Sequence, residues 1–159
     1  MKSCIDWGTG GFSVDDWIFL RNLIRDRNIK SVLEYGCGVS TELLYMFGID
    51  LVTLETRPEY VPNISGLCYW LYQYPEFPKL DRRFDLAFID GPGAYEFERL
   101  GKIPERKFSP LHASQYTNLI LLHDGGLGQI EPLLAAGFKQ CPEGYNGVGA
   151  RNILFVRNE

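Results

Sequence analysis

Hydrophobic residues follow two different spacings along the chain. From Val14 to Asn28 they recur every three or four residues, behind the S-x-x-D arrangement of Ser13 and Asp16 that is typical of a helix-capping box. Short, almost wholly apolar runs without that spacing lie at residues 31–34, 51–54, 84–89, 119–122 and 153–156. The first pattern predicts an amphipathic helix, and the second predicts strands that are covered on both faces.

Helical patterns alternate with these predicted strands. Residues 41–47 and 127–136 have helical spacing, and Pro132 lies early enough in the second segment to be tolerated in a first turn. The repeated order of strand, turn and helix predicts an α/β fold, with a doubly wound, mostly parallel sheet and helices on both faces.

Two stretches interrupt this pattern. Residues 58–78 combine four prolines with a dense aromatic group, so only a short strand is expected there, within residues 67–73. Residues 91–117 form a long connection that we expect to hold a helix near residues 95–100, followed by a loop. Connections of that length in small domains are usually functional or mobile.

Composition excludes several classes of protein. A chain of 159 residues is the size of one domain, and its formal net charge of −4 without a basic block argues against a nucleic-acid partner. The four cysteines are scattered with no C-x-x-C pair, so we expect free thiols and a cytoplasmic location. No apolar run reaches the ~18 residues that a membrane helix needs, so we expect no membrane partner.

A tight glycine turn follows the first predicted strand. Gly36 and Gly38 lie where a doubly wound sheet binds ligands, beyond the carboxyl ends of its strands. A dinucleotide fingerprint would place a third glycine where Thr41 stands, which weakens an NAD interpretation. Glu34, before the turn, would repel a pyrophosphate but attract an ammonium group.

The turn and three later strand ends resemble the motifs of class I S-adenosylmethionine-dependent methyltransferases. LEYGCGVS is similar to the first motif of that family, D/E-x-G-x-G-x-G/S, with Glu34, Gly36, Gly38 and Ser40 at the matching positions. Three further stretches, LVTLET, FDLAFIDGP and LILLHDGG, match later strand ends and supply Glu55, Asp90, and the pair His123 and Asp124.

The resemblance implies a Rossmann-like fold and a set of roles. It implies one domain over residues 1–159, divided into an N-terminal segment and helix (1–30), a cofactor-binding core (31–126) and a C-terminal helix and strands (127–159). The implied contacts to S-adenosylmethionine come from Glu34, Tyr35, Gly36, Gly38, Ser40, Glu55 and Asp90. Glu34 would position the amino end of the cofactor and Glu55 would hold its ribose; we assign no residue to the adenine.

Candidate catalytic residues are Asp90, His123 and Asp124. The N/D-P-P-Y/F signature of enzymes that methylate adenine or glutamine nitrogen is absent at Asp90, so the resemblance favours an oxygen acceptor on a small molecule or sugar. Asp90 and Asp124 match two acids of the metal-dependent catechol type, but Gly125 stands where that type has Asn. A divalent metal is therefore possible but not favoured, and we assign no metal ligands.

Several residues keep two interpretations. The base that an oxygen acceptor requires could be Asp90, His123 or His112, although histidines at strand ends and in loops are more often solvated or capping groups. Arg106 and Lys107 could be solvated surface charges, or could recognise a phosphate or carboxylate on the acceptor.

Two functions remain open at the level of sequence. The first is an S-adenosylmethionine-dependent methyltransferase that acts on a small-molecule acceptor. The second is an inactive module of the same fold that binds the cofactor or a protein partner, which the short length of the chain suggests. A second copy of the chain is a possible partner, because it could cover exposed edge strands and the aromatic segment 69–77.

Overall fold

The computed structural model describes residues 11–91, 106–126, 128–142 and 152–158. Four helices lie in these ranges: α1 (Val14–Asp26), α2 (Val39–Met46), α3 (Phe108–Ala113) and α4 (Ile130–Ala135). The strands are β1 (Ser31–Tyr35), β2 (Asp50–Glu55), β3 (Cys68–Leu71), β4 (Leu86–Ile89), β5 (Leu119–His123), β6 (Lys139–Cys141) and β7 (Asn152–Val156). A short 3-10 turn (Pro58–Tyr60) follows β2.

The seven strands form one sheet in the order β3-β2-β1-β4-β5-β7-β6. Neighbouring strands from β3 to β5 are parallel, and β7 runs antiparallel to both β5 and β6. Because the chain moves outward in one direction after β1 and in the other direction after β4, the strand order reverses between these two strands. Crevices for ligands open at such a point, beyond the carboxyl ends of the strands.

Alternate strand residues enter two hydrophobic cores. On one face, Val32, Phe88 and Leu121 pack with residues of α1 and α2. On the other face, Leu33, Ile89 and Leu122 pack with Ala113 of α3 and Leu133 of α4. Helices on both faces of a mostly parallel sheet confirm the predicted α/β doubly wound architecture.

Helix boundaries differ slightly from the predicted ones, for local reasons. The capping box of α1 is present, since Asp16 main-chain N–H donates to Ser13 Oγ and Ser13 N–H donates to Asp16 Oδ2. The helix ends before Asn28, whose φ of 52° is incompatible with a continuing right-handed helix. In α4, Pro132 is the third residue, where a missing N–H breaks no helical hydrogen bond.

Two elements were missed by the sequence patterns. Helix α3 lies in the stretch predicted to be a loop, and its six residues include a proline in the first turn. Strand β6 has only three residues, two of them exposed, so it carries no hydrophobic alternation to detect. The helix expected near residues 95–100 lies outside the described residues.

Strand β3 forms one edge of the sheet and is exposed along its whole length. It falls within the predicted residues 67–73, and Tyr69, Trp70 and Leu71 are each about half exposed. Coverage of this edge by a second copy of the chain stays a prediction. Within the described ranges, every helix is too short or too polar to cross a membrane.

Candidate functional site

The turn after β1 is held by contact between two backbones. Gly36 has a φ of +93°, and a side chain on it would meet the main-chain N and Cα of Gly91 at 3.2 and 3.3 Å. The turns that follow β1 and β4 therefore touch at the two glycines. At Gly38, by contrast, an added Cβ would meet no atom of the described residues within 4 Å. Space for a ligand thus lies beside Gly38, where helix α2 begins.

Glu34 is fully buried beneath this turn. Its carboxylate accepts hydrogen bonds from the hydroxyls of Ser40 at 2.6 Å, Thr41 at 2.8 Å and Thr53 at 3.0 Å. Burial raises the pKa of Glu34 to about 7, and the nearby charge of Asp90 adds to the rise, although the three hydroxyls oppose it. In this arrangement Glu34 and Ser40 fix α2 against the sheet, and contact of either residue with the cofactor stays a prediction.

Glu55, the last residue of β2, reaches the same turn from the other side. Its Oε2 accepts from the main-chain N–H of Cys37 at 2.7 Å, and its Oε1 accepts from Thr56 and Arg57 N–H groups at 2.6 and 3.0 Å. Among the described residues, Oε2 accepts this one hydrogen bond, so a second acceptor position is available for a ligand hydroxyl. Burial raises the pKa of the Cys37 thiol, and the charges of Glu34 and Glu55 beside it add to the rise.

Tyr35 and His112 are directed away from the turn. The Tyr35 side chain is fully buried on the face of α3, and its hydroxyl lies 2.7 Å from His112 Nδ1. The His112 ring stacks on Phe77 at a centroid distance of 4.6 Å, and its Nε2–H donates to the Pro78 carbonyl. Burial lowers the pKa of His112. The His112 side chain therefore packs in the core and does not lie in an acceptor lid. The Tyr35 side chain points away from the turn, so a contact of Tyr35 with the cofactor stays a prediction that only its main chain could fulfil.

Asp90 and His123 meet at the ends of β4 and β5. His123 Nδ1 lies 2.8 Å from Asp90 Oδ1, with the imidazole fully buried and the Asp90 side chain 31% exposed. On its other side, His123 Nε2 lies 3.3 Å from Asp16 Oδ2 but makes no hydrogen bond. Of Asp16, His123 and Asp90, Asp90 is the partly exposed residue, and it presents a carboxylate oriented by a buried imidazole.

Charges around His123 favour its protonated form. Burial opposes protonation, but the hydrogen bond to Asp90 and the charges of Asp90, Asp124 and Asp16 outweigh it and raise the pKa of His123. Asp124 contributes from 3.8 Å, with its side chain 45% exposed. Phe12 and Phe88, whose rings lie beside the imidazole, are uncharged.

The sequence patterns did not identify the role of Asp16. Its Oδ1 accepts a hydrogen bond at 2.7 Å from Asn152 Nδ2, which links α1 to β7 beneath His123. Burial favours the neutral acid, but the Ser13 hydrogen bonds and His123 hold the pKa of Asp16 below its usual range. The capping box already explained why an acid stands at position 16. Asn152, its hydrogen-bond partner, is too far away in the sequence for a local motif to include both residues.

The described residues contain no group of three or more His, Cys, Asp or Glu side chains arranged to hold a metal ion. Asp90 and Asp124 both face His123, and Gly125 supplies no ligand at the third matching position. The role of a divalent metal stays open at the level of the sequence resemblance.

Comparison with known proteins gives a clear answer about the fold. No protein-family model matches the chain, and no curated protein sequence matches it. Among solved structures, the sugar N-methyltransferase KedS8 from Streptoalloteichus sp is 13% identical and has a TM-score of 0.61, over 100% of this chain and 98% of that chain. CalS10 from Micromonospora echinaspora, an amino pentose methyltransferase solved with bound S-adenosylmethionine, is 12% identical with a TM-score of 0.65, over 95% of this chain and 93% of that chain.

A nucleic-acid methyltransferase also matches. The ribosomal RNA methyltransferase RsmC from T. Thermophilus is 16% identical with a TM-score of 0.62, over 96% of this chain and 45% of that chain. The absence of a nucleic-acid partner therefore stays a prediction. At these identities the likeness establishes the fold, and the chain has the fold of class I S-adenosylmethionine-dependent methyltransferases.

Proposed function

We propose that this protein is an S-adenosylmethionine-dependent methyltransferase that acts on an oxygen atom of a small molecule or sugar. One observation carries the proposal: a glycine turn at the reversal of strand order has open space beside Gly38 and a strand-end carboxylate, Glu55, bonded to it. The same fold in CalS10 was solved with S-adenosylmethionine.

The residues of the turn fit this cofactor better than a dinucleotide. Glu34 and Glu55 place two carboxyl groups beneath the turn, and together with burial they raise the pKa of the Cys37 thiol. Such an environment disfavours a pyrophosphate and suits the positive charges of an amino group and a sulfonium. Glu55 has the free acceptor position that a ribose hydroxyl would need.

S-adenosylmethionine, when bound, supplies an activated methyl group, so the protein's main task is alignment. Asp90 lies at the reversal of strand order and has a partly exposed carboxylate. Its Oδ1 contacts His123 Nδ1. We assign to Oδ2 the role of the base that accepts the proton of the acceptor hydroxyl. A neutral amine already carries a lone pair and needs no such base, so the Asp90–His123 pair favours oxygen over nitrogen.

Activity on a panel of acceptors tests this function. The purified protein would be incubated with S-adenosylmethionine and a set of sugars, phenols and hydroxy acids, and S-adenosylhomocysteine would be measured by mass spectrometry. We expect release with at least one hydroxyl acceptor. Asp90→Asn should reduce the rate roughly 10²- to 10⁴-fold, the usual contribution of a general base, while cofactor affinity is kept. Full activity of Asp90→Asn would leave Asp90 as a positioning group only.

The exposed strand β3 favours a second candidate, an inactive module of the same fold that works with a partner. All four residues of this edge strand are exposed, and the path through residues 72–83 to β4 holds no helix to cover them. Cofactor binding without S-adenosylhomocysteine release on any acceptor would favour this candidate.

A further inference from the structure

Arg106 is a buried cation whose charge is not balanced among the described residues. The residue is only 8% exposed, and its Nη2 donates a 3.0 Å hydrogen bond to the main-chain carbonyl of Asp90. Its Nε is also buried and has no hydrogen-bond partner. Across residues 11–91, 106–126, 128–142 and 152–158, no carboxylate forms an ion pair with this guanidinium.

This environment is unfavourable for a group that serves only stability. A guanidinium has five N–H donors, and burying it without a counter-charge costs free energy that a single neutral carbonyl does not offset. Arg82 has the opposite environment, since it lies on the surface and is paired through both terminal nitrogens with Asp50. Among the described residues, the exposed guanidinium of Arg82 thus has a carboxylate partner that the buried guanidinium of Arg106 lacks.

Arg106 is anchored at the wall of the crevice. Its hydrogen-bond acceptor is the carbonyl of Asp90, whose carboxylate faces His123. The next residue, Gly91, packs against Gly36 of the glycine turn, and its carbonyl accepts from Ser109 Oγ of α3 at 3.3 Å. The guanidinium is therefore tied to the backbone where the turns after β1 and β4 meet.

We propose that Arg106 binds an oxyanion at this crevice, a carboxylate or phosphate group of a bound ligand. A planar guanidinium with free donors matches the two oxygens of such a group, and the pair would balance the buried charge. If the proposed function holds, the anion has two possible sources: the carboxylate on the methionyl part of the cofactor, or an acidic group on the acceptor.

Binding measurements on Arg106→Gln distinguish these sources. S-adenosylhomocysteine would be titrated calorimetrically, beside 5′-methylthioadenosine, which keeps the nucleoside but lacks the amino-acid part. Thermal unfolding would be followed with increasing inorganic phosphate, in the presence and absence of S-adenosylhomocysteine. Lys107→Gln is the matched control, because it removes a neighbouring positive charge that lies over the Phe108 ring at 5.2 Å.

Each source predicts a different result. If Arg106 binds the cofactor carboxylate, Arg106→Gln weakens S-adenosylhomocysteine binding at least tenfold and leaves methylthioadenosine binding unchanged. If the anion belongs to the acceptor, S-adenosylhomocysteine binding is unchanged, and phosphate raises the unfolding temperature of wild type and Lys107→Gln but not of Arg106→Gln. Equal cofactor affinity and an equal phosphate response in wild type and Arg106→Gln would overturn the proposal.

A second variant separates binding from a structural role. Arg106→Met removes the charge and keeps a long apolar stem, so an unbalanced cation predicts an unfolding temperature that is unchanged or higher than that of wild type. A lower unfolding temperature than that of wild type, together with unchanged cofactor affinity and phosphate response, would mean that Arg106 only stabilises the fold through its hydrogen bond to the Asp90 carbonyl. If wild type binds neither nucleoside, the proposed function fails, whereas a phosphate response that requires Arg106 would still support the anion site.

Discussion

Two groups of polar side chains lie at the carboxyl end of the sheet, and they differ in how fully they are hydrogen bonded. Around the glycine turn, both oxygens of Glu34 and both oxygens of Glu55 accept from protein donors, and both residues are at most 1% exposed. Around Asp90, the carboxylate is partly exposed, and the buried Nε atom of Arg106 and Nε2 atom of His123 have no hydrogen-bond partner.

The side chains around the glycine turn hold the backbone of the site in place, whereas the side chains around Asp90 are the ones that we propose to act on the ligand. Saturated hydrogen bonds around Glu34 fix where the turn and α2 lie, which is what a cofactor loop needs before any ligand arrives. Unpartnered buried groups reduce stability, and completion by a bound ligand is one reason for a protein to keep them. We therefore expect substitutions near Glu34 to change stability first, and substitutions near Asp90 to change ligand response and turnover first.

The largest expected effect comes from Gly36→Val. A β-branched residue is strongly disfavoured at a φ of +93°, and its Cβ would collide with the Gly91 backbone. Strain and overpacking together should destabilise the protein by about 3–5 kcal/mol and abolish cofactor binding. Urea unfolding and calorimetry measure the two effects.

Gly38→Val is the matched control for that change. Gly38 has an extended φ of 173° and open space around its Cβ, so the variant should fold with nearly wild-type stability. If the ligand occupies this space, binding is lost without loss of stability. Wild-type affinity in folded Gly38→Val would place the ligand elsewhere.

Glu34→Gln should change how stability depends on pH. The pKa of Glu34 is raised from 4.5 to about 7 in the folded protein, so the neutral acid favours folding. As pH rises from 4.5 through 7, ionisation of this group should reduce the free energy of unfolding by up to about 3 kcal/mol. The fall should be absent in Glu34→Gln when the two proteins are unfolded in urea at pH 5 and pH 8. Parallel curves would show that Glu34 titrates normally.

Glu55→Ala tests the ribose contact in the group around the glycine turn. Loss of a carboxylate that accepts a ligand hydroxyl should weaken S-adenosylmethionine binding by roughly 1.5–3 kcal/mol. Because Glu55 also accepts from Cys37 and Arg57 N–H groups, unfolding must be measured beside calorimetry. Unchanged affinity in a folded variant would remove Glu55 from the site.

Apart from the Gly38→Val control, the smallest expected effect on stability comes from His123→Gln. Its folded pKa is raised, so the protonated imidazole stabilises the fold fully below its unfolded pKa, and that contribution is lost as pH rises through the folded value. Wild type should exceed His123→Gln by on the order of 1 kcal/mol near pH 6, and the gap should narrow toward pH 9. A gap that is constant with pH would mean that His123 is neutral in the fold.

Much of the fold was predictable because its strands are apolar on both faces. All five predicted apolar runs are strands of the sheet, with ends shifted by at most a few residues. Strand β6 and helix α3 were missed because three largely exposed residues, and a six-residue helix with an internal proline, have no periodic pattern to read.

The candidate site was predictable only where a local motif marks it. The motifs place four residues at the carboxyl ends of the strands: Gly36, Glu55, Asp90 and His123. The structure brings Asp90 and His123 into contact. The direction of each side chain depends on packing across the sheet, so the burial of Glu34 and Ser40 and the turn of Tyr35 toward His112 could not be read from the sequence. The contact between Asp16 of α1 and His123 was also not predictable, because the two residues are far apart in the sequence.

The most direct test of the account is calorimetric titration of S-adenosylmethionine, S-adenosylhomocysteine and NAD into the purified wild-type protein. The account predicts binding of the two methyl-donor nucleosides in the micromolar range, with no heat from NAD. Binding of NAD alone, or of none of the three, would contradict it, and the turn from Glu34 to Ser40 would then be a structural feature of a fold that uses a different ligand.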